Sequence, residues 1–202
     1  MSKKAEMGIG TLIIFIAMIL VAAIAASVLI QTATSLQNRA LLTGTRTQEQ
    51  IGTAIQVLQV YGEDGTTGSP ASLDTFYMKF KLAPGSEPIR LNDSLLEFDT
   101  RSTSAALTYN ASNSGDCDAA DFSTNSTTGV GSFGAKYLIV GTESKNGYVH
   151  RGDVIELCFE SPESVTANED VSIRIIPRVG IPSSTETAVP EIVGQKRIYI
   201  FP

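Results

Sequence analysis

No Asp, Glu, Lys or Arg occurs between Glu6 and Arg39, a run of 32 residues. Within it, Leu12 to Ile30 reads LIIFIAMILVAAIAASVLI, 19 residues with Ser27 as the only hydroxyl. As a helix rising about 1.5 Å per residue, that block spans roughly 28 Å, close to the ~30 Å hydrocarbon core of a bilayer. A helix that is apolar on every face must be buried on every face, by lipid or by protein. Among the small residues Ala22, Ala23, Ala25, Ala26 and Ser27, the pairs Ala22/Ala26 and Ala23/Ser27 have small-xxx-small spacing, which lets helices approach closely.

An ordinary secretory signal has a basic start, an apolar stretch of about 7–15 residues and a small-residue cleavage site. Here the basic part is only Lys3-Lys4, and the apolar run is longer than that. After Ile30, Gln31, Ala33 and Leu36 continue the helical pattern, and no Pro or Gly appears before Gly44. Read on hydropathy alone, the segment equally fits a retained single-pass anchor with Lys3-Lys4 on the cytoplasmic side.

The residues themselves are more specific. Lys3-Lys4, Gly8-Ile9-Gly10-Thr11-Leu12, Phe15-Ile16-Ala17, Val21-Ala22-Ala23 and Ala25 to Ile30 follow one another in a dense pattern. The stretch resembles the N-terminus of the archaeal flagellins (archaellins), which are similar to type IV pilins. The resemblance implies a leader, residues 1–5, removed by a prepilin-type peptidase after Ala5 to leave Glu6 as the mature N-terminus. That family usually has Gly where this chain has Ala5. It also implies helix packing through Gly8, Gly10, Ala22, Ala23 and Ala26.

The helical spacing continues through Leu36, Ala40, Leu41, Ile51, Ile55 and Leu58, so a helix is expected over residues 6–61. Gly62 and the turn-rich Glu63–Pro70 end it. From Leu73 the period becomes two. Phe76, Met78, Phe80 and Leu82 alternate with Tyr77, Lys79 and Lys81; Ile155, Leu157 and Phe159 with Glu156, Cys158 and Glu160; Val171, Ile173 and Ile175 with Ser172 and Arg174. Further strands are expected near Leu95–Asp99, Ala105–Tyr109, Lys136–Val140 and Lys196–Phe201. The pattern predicts an α+β chain whose residues 62–202 form an antiparallel β-sandwich, immunoglobulin-like in kind. Ser102 to Ser132 is too polar for a core and reads as surface loops with a strand at most inside it.

The formal net charge is -6 and the pI about 4.8, which argues against a nucleic-acid partner. Only 18% of residues are charged. An enzymatic reading finds no motif. His150 is the sole histidine and reads as a surface turn residue. Gly129 to Gly134, GVGSFG, has the letters of a dinucleotide fingerprint but neither the preceding strand nor the following helix. Asp116, Asp118 and Asp121 form an oxygen-rich loop of the kind that suits Ca²⁺, without EF-hand spacing; a solvated acidic loop is the simpler reading. Asn92, Asn110 and Asn125 head N-glycosylation sequons, and the resemblance implies surface glycans.

Cys117 and Cys158 are the only cysteines, and in an exported domain they are expected to form a disulfide. Strand alternation sets Cys158 on the face away from Ile155, Leu157 and Phe159, which argues against a buried thiol. The bond would close a loop worth roughly 4 kcal/mol in the chain-entropy model.

Function is therefore expected to be structural. Copies of the chain leave the membrane, pack their helices and display their heads as a swimming filament. The resemblance implies that the membrane platform and motor are separate proteins. Two alternatives are an adhesive archaeal pilin and a membrane-tethered extracellular binding domain.

Overall fold

The computed structural model describes residues 2–63, 72–113, 117, 130–191 and 197–201, with no description of the side chains of residues 2–6, 113 and 130. It divides into two units, Met1–Gln48 and Glu49–Pro202. The first is helical throughout its described residues and belongs to α1, which runs from Ser2 to Gly52. Its threonines fold back onto the ladder: Thr11 Oγ1 donates to the Gly8 carbonyl at 3.0 Å, Thr32 to Leu29 at 3.0 Å and Thr34 to Ile30 at 2.9 Å. These hydroxyls need no outside partner, so they can sit in an apolar medium.

The second unit contains β1 (Ile55–Glu63), β2 (Leu73–Leu82), β3 (Ile89–Arg90), β4 (Leu95–Thr100), β5 (Ser104–Tyr109) and β6 (Val130–Ile139). It continues with β7 (Tyr148–Val149), β8 (Val154–Val165), β9 (Asp170–Ile176), β10 (Ser183–Ala188) and β11 (Arg197–Phe201). Nine strands make one sheet in the order β10-β9-β4-β5-β6-β8-β2-β1-β11, and β3 pairs with β7 apart from it. All pairs are antiparallel except β5 with β6. That parallel pair has no hairpin, and its connection crosses the polar stretch between Tyr109 and Val130.

The sandwich is this single sheet folded onto itself. β2 and β4 are separated in the sheet by β8, β6 and β5, yet the Phe76 and Phe98 rings lie 4.9 Å apart and Phe98 meets Phe159 at 5.4 Å. Phe80, Leu157, Leu96, Leu107, Ile173 and Ile175 fill the same core. The two sheet edges approach each other, and Thr187 Oγ1 on β10 donates to the Ile200 carbonyl on β11 at 2.8 Å. Folding over in this way brings the two edge strands side by side.

The helix is shorter than its spacing predicts. It stops at Gly52, and Ile55–Glu63, expected to continue it to Tyr61, is β1. Two causes act together. Ile55, Val57 and Val60 are β-branched and lose side-chain freedom in a helix. The junction is also captured by hydrogen bonds: the Thr53 carbonyl accepts from Ile181 N at 2.9 Å, Thr53 Oγ1 from Glu87 N at 3.3 Å, and the Ala54 carbonyl from Ala83 N at 2.9 Å. Ala54 N donates to Ser86 Oγ at 3.1 Å. These long-range partners are invisible to local periodicity.

Gly180 makes this junction possible. It has φ +116°, and an added Cβ would stand 2.7 Å from the Thr53 carbonyl oxygen. Gly180→Ala is therefore strained in backbone and in space, at a cost of about 1–3 kcal/mol. We expect the melting temperature of the detergent-solubilised full chain to fall by several degrees, read by the loss of β-sheet circular dichroism. An unchanged transition would mean that the junction tolerates rearrangement.

Candidate assembly surface

Two surfaces stand out, one on α1 and one on the outside of the sheet. On α1, Met7, Ile9, Leu12, Ile13, Ile14, Phe15, Ile16 and the large apolar residues after them are exposed, 19 in all through Ile51. At about 1.5 kcal/mol or more for each side chain taken out of water, they represent on the order of 30 kcal/mol left unrealised in water. Ala22, Ala23 and Ala26 are exposed too, and a Cβ added at Gly8 or Gly10 would meet nothing within 4 Å. Ala22, Ala26, Ala33, Ala40 and Gly44 recur at spacings of four and seven residues and so share one face. That face can accept a neighbouring backbone at short range. The leader positions Lys3, Lys4, Ala5 and Glu6 lie on the backbone of α1, and their side chains are outside the described residues.

The second surface lies on the outer face of β1, β2 and β8. Cys117 and Cys158 are disulfide-bonded with Cα atoms 5.8 Å apart. Cys158 does point away from the main core, as alternation requires. It is not on a wet face, however: both cysteines are buried, in a small second cluster with Tyr61 and Tyr77. The Tyr61 and Tyr77 rings stack at 4.8 Å, and Cys117 completes the cluster. Alternation assigns a face but not what covers it, so it points to the cysteine pairing and is silent on its burial.

Charged groups border this cluster. Tyr61 Oη donates to Glu156 Oε1 at 2.5 Å, and Lys79 Nζ lies 3.7 Å from the same oxygen. Lys79 and Arg197 both sit over the Tyr61 ring, at 5.0 and 4.4 Å. Arg197 is fixed by two hydrogen bonds to Glu63 Oε1, at 2.8 and 2.6 Å. That carboxylate is the main reason its guanidinium is held charged even more firmly than usual. Burial, then the bond to Glu156, pushes the Tyr61 phenol well above its ordinary value of 10.0.

The other sequence-predicted sites are scattered over the head. Asn92 is exposed on a single 3-10 turn, Leu91–Asp93. Asn110 is half-buried, and its Oδ1 accepts from Ser112 N at 3.0 Å. Asn125, with Asp116, Asp118 and Asp121, lies outside the described residues. No group of three metal-ligating side chains occurs among the described residues. His150 begins a turn, as expected, but not on the open surface: its side chain is 15% exposed and stands beside Asp153. That buried aspartate, not singled out in sequence, accepts from Gly141 N at 2.7 Å and His150 N at 2.8 Å and pins the 141–153 loop.

The helix and the head are those of one known family. The sequence profile of archaeal-type flagellin matches residues 5–187. The chain belongs to the archaeal-type flagellin family. It is 32% identical to flagellin B2 of Halobacterium salinarum over 198 residues, 96% of this chain and 93% of that one. In fold, it is similar to the archaeal flagellum of Methanospirillum hungatei strain JF1, with a TM-score of 0.68 at 16% identity over 96% of this chain and 99% of that one. It is also similar to the crystal structure of the flagellin FlaB1 from Methanocaldococcus jannaschii, with a TM-score of 0.60 at 21% identity over 73% of this chain and 96% of that one. A flagellin is a structural subunit of an extracellular filament and not an enzyme, and the exposed apolar helix is the surface such a role requires.

The Tyr61 phenol gives the flagellin head a pH dependence whose sign can be stated. A phenol whose folded pKa is raised above its unfolded value contributes stability that is fully present below about pH 10, the ordinary value, and is lost as pH rises beyond it. Alkaline titration followed at the tyrosinate absorbance should leave Tyr61 silent until the head unfolds. Tyr61→Phe should remove part of the loss of stability above pH 10. A normal titration of all tyrosines near pH 10 in the folded protein would contradict the burial of this phenol.

Proposed function

We propose that this flagellin is made as a membrane precursor, loses Met1–Ala5 to a prepilin-type peptidase, and polymerises through α1 into a swimming filament. The observation that carries the reading is the exposed apolar surface of α1, which no described residue buries. Lipid covers it in the precursor and neighbouring copies of α1 cover it in the filament. Lys3 and Lys4 hold the precursor's N-terminus on the cytoplasmic side until they are removed. The membrane platform and motor that secrete and rotate the filament are separate proteins. At least one of Asn92, Asn110 and Asn125 carries an N-glycan on the exported head.

Cleavage after Ala5 removes two lysines, so the formal charge moves from -6 to -8. Intact mass and N-terminal sequencing of filaments sheared from cells should find Glu6 first, with a mass excess on a peptide holding one of the three sequons. Replacing Lys3 and Lys4 with Glu should trap full-length precursor in the membrane fraction. Filaments built from uncleaved chains would overturn the processing scheme.

The α1 face gives a second test. Ala22→Leu with Ala26→Leu adds bulk where helices approach most closely, and such overpacking costs about 1–3 kcal/mol per site. Membrane insertion should be normal and filaments short or absent under electron microscopy. Full-length filaments from the double variant would place these alanines outside the interface.

A further inference from the structure

The head domain leaves its apolar side chains uncovered at one end. Outside α1, six large apolar side chains are exposed among the described residues: Leu138, Ile139, Val140, Val179, Ile181 and Tyr199. All but Tyr199 lie at the end of the sheet where Thr53 and Ala54 enter it. Val179 and Ile181 are there because Ile181 N bonds the Thr53 carbonyl. The Leu138–Val140 run is there because Ile139 pairs with Val154, Val154 with Lys81, and the adjacent Leu82 with Ile55. Leu138, Ile139 and Val140 are 42%, 58% and 67% exposed, three in succession. A patch of this kind marks a contact surface.

Charge divides along the same axis. At the Thr53 end stand Lys81, Arg90, Lys145, Arg151 and Arg178. Of the four carboxylates near them, Asp153 is buried against backbone N–H groups and Asp93 is held by Arg90 and Arg178 at 3.7 and 3.4 Å; Glu87 and Glu143 remain. At the opposite end, where β4 ends and β9 begins, Asp99, Glu163, Glu169, Asp170 and Glu186 gather, and Glu63 is paired with Arg197. Arg101, 3.9 Å from Asp170, is the other cation there among the described residues. Asp99, Asp170 and Glu186, together with Arg101, line an open groove of about 530 Å³.

We propose that the Thr53 end of the head docks onto the carboxylate-rich end of the head of a second copy of this chain. The Leu138–Val140 ridge, flanked by Lys145 and Arg151, engages the groove rimmed by Asp99, Asp170 and Glu186. The two sides of such a contact are different patches. It is therefore heterologous and propagates head to tail, as a filament requires, instead of closing into a dimer. Apolar burial supplies the attraction, while the opposed charges set polarity and register. The proposal rests on the reading of the chain as a self-assembling filament subunit, and the helix contacts alone do not imply it.

The test uses full-length chain produced in cells lacking their own flagellin. Three variants are compared with wild type: Lys145→Glu with Arg151→Glu, Asp170→Lys with Glu186→Lys, and the four changes together. All the substituted side chains are exposed, and circular dichroism with an intact Cys117–Cys158 bond checks that each head is folded. Each pair alone should reduce sheared filament by at least tenfold. The fourfold variant, in which attraction is restored with the signs exchanged, should recover most of the yield. Undiminished yield from either pair, or two damaging pairs without mutual rescue, would overturn the head-to-tail contact. The latter result would assign the basic end to another partner, such as an anionic membrane. Wild-type cells without filaments would instead remove the filament reading itself.

Discussion

Nineteen large apolar side chains on α1 are exposed, with no described residue covering them, and the rest of the molecule is organised around that fact. In water such a surface is insoluble; on a membrane it is an anchor; among copies of itself it is a core. The threonine hydroxyls turned back onto helix carbonyls remove the polar obstacle to either apolar setting. The head domain must therefore fold without using the helix. It meets that condition: its aromatic core of Phe76, Phe98, Phe133 and Phe159 is complete within the sheet.

The first residues of the head, Thr53 and Ala54, are held by distant segments of the head itself. Helix ends leave unsatisfied backbone groups, and here the chain passes at once into a set of bonds from distant segments. The 83–87 loop, Ile181 and the parallel bridge between Ala54 and Ile181 all hold it. Thr53 and Ser86 are buried polar residues whose hydrogen bonds are made at this spot. The start of the sheet is thereby anchored at the residue where the helix stops.

Much of this was legible in sequence where the physics is local. The 32-residue uncharged run declared the helix. Alternation in β2, β8 and β9 placed Phe76, Met78, Phe80, Leu157, Ile173 and Ile175 on the core face, where they are. Local reading failed where distant partners decide. Ile51, Ile55 and Leu58 have helical spacing, but Ile55 and the residues after it belong to a strand held by β2 and β11. The polar β10, SSTETA, offers only Thr185 to the interior and gave no hydrophobic signal. Cys158 was correctly set opposite the core, yet its burial depended on Tyr61, Tyr77 and Cys117, which arrive from elsewhere in the chain.

The α1 surface also determines what can drive assembly. Lipid tails and packed helices are both apolar, so moving α1 from one to the other gains little from the hydrophobic effect itself. The large transfer free energy keeps the helix out of water but does not choose between its two homes. The choice must come from terms that lipid cannot supply. One is the close approach allowed along Ala22, Ala26, Ala33, Ala40 and Gly44, where dispersion contacts between backbones exceed those with fluid chains. The other is whatever the heads gain from one another in water, where apolar burial retains its full value. A strongly apolar helix with small residues along one face, joined to a rigid head with a polarised surface, is consistent with both terms acting together.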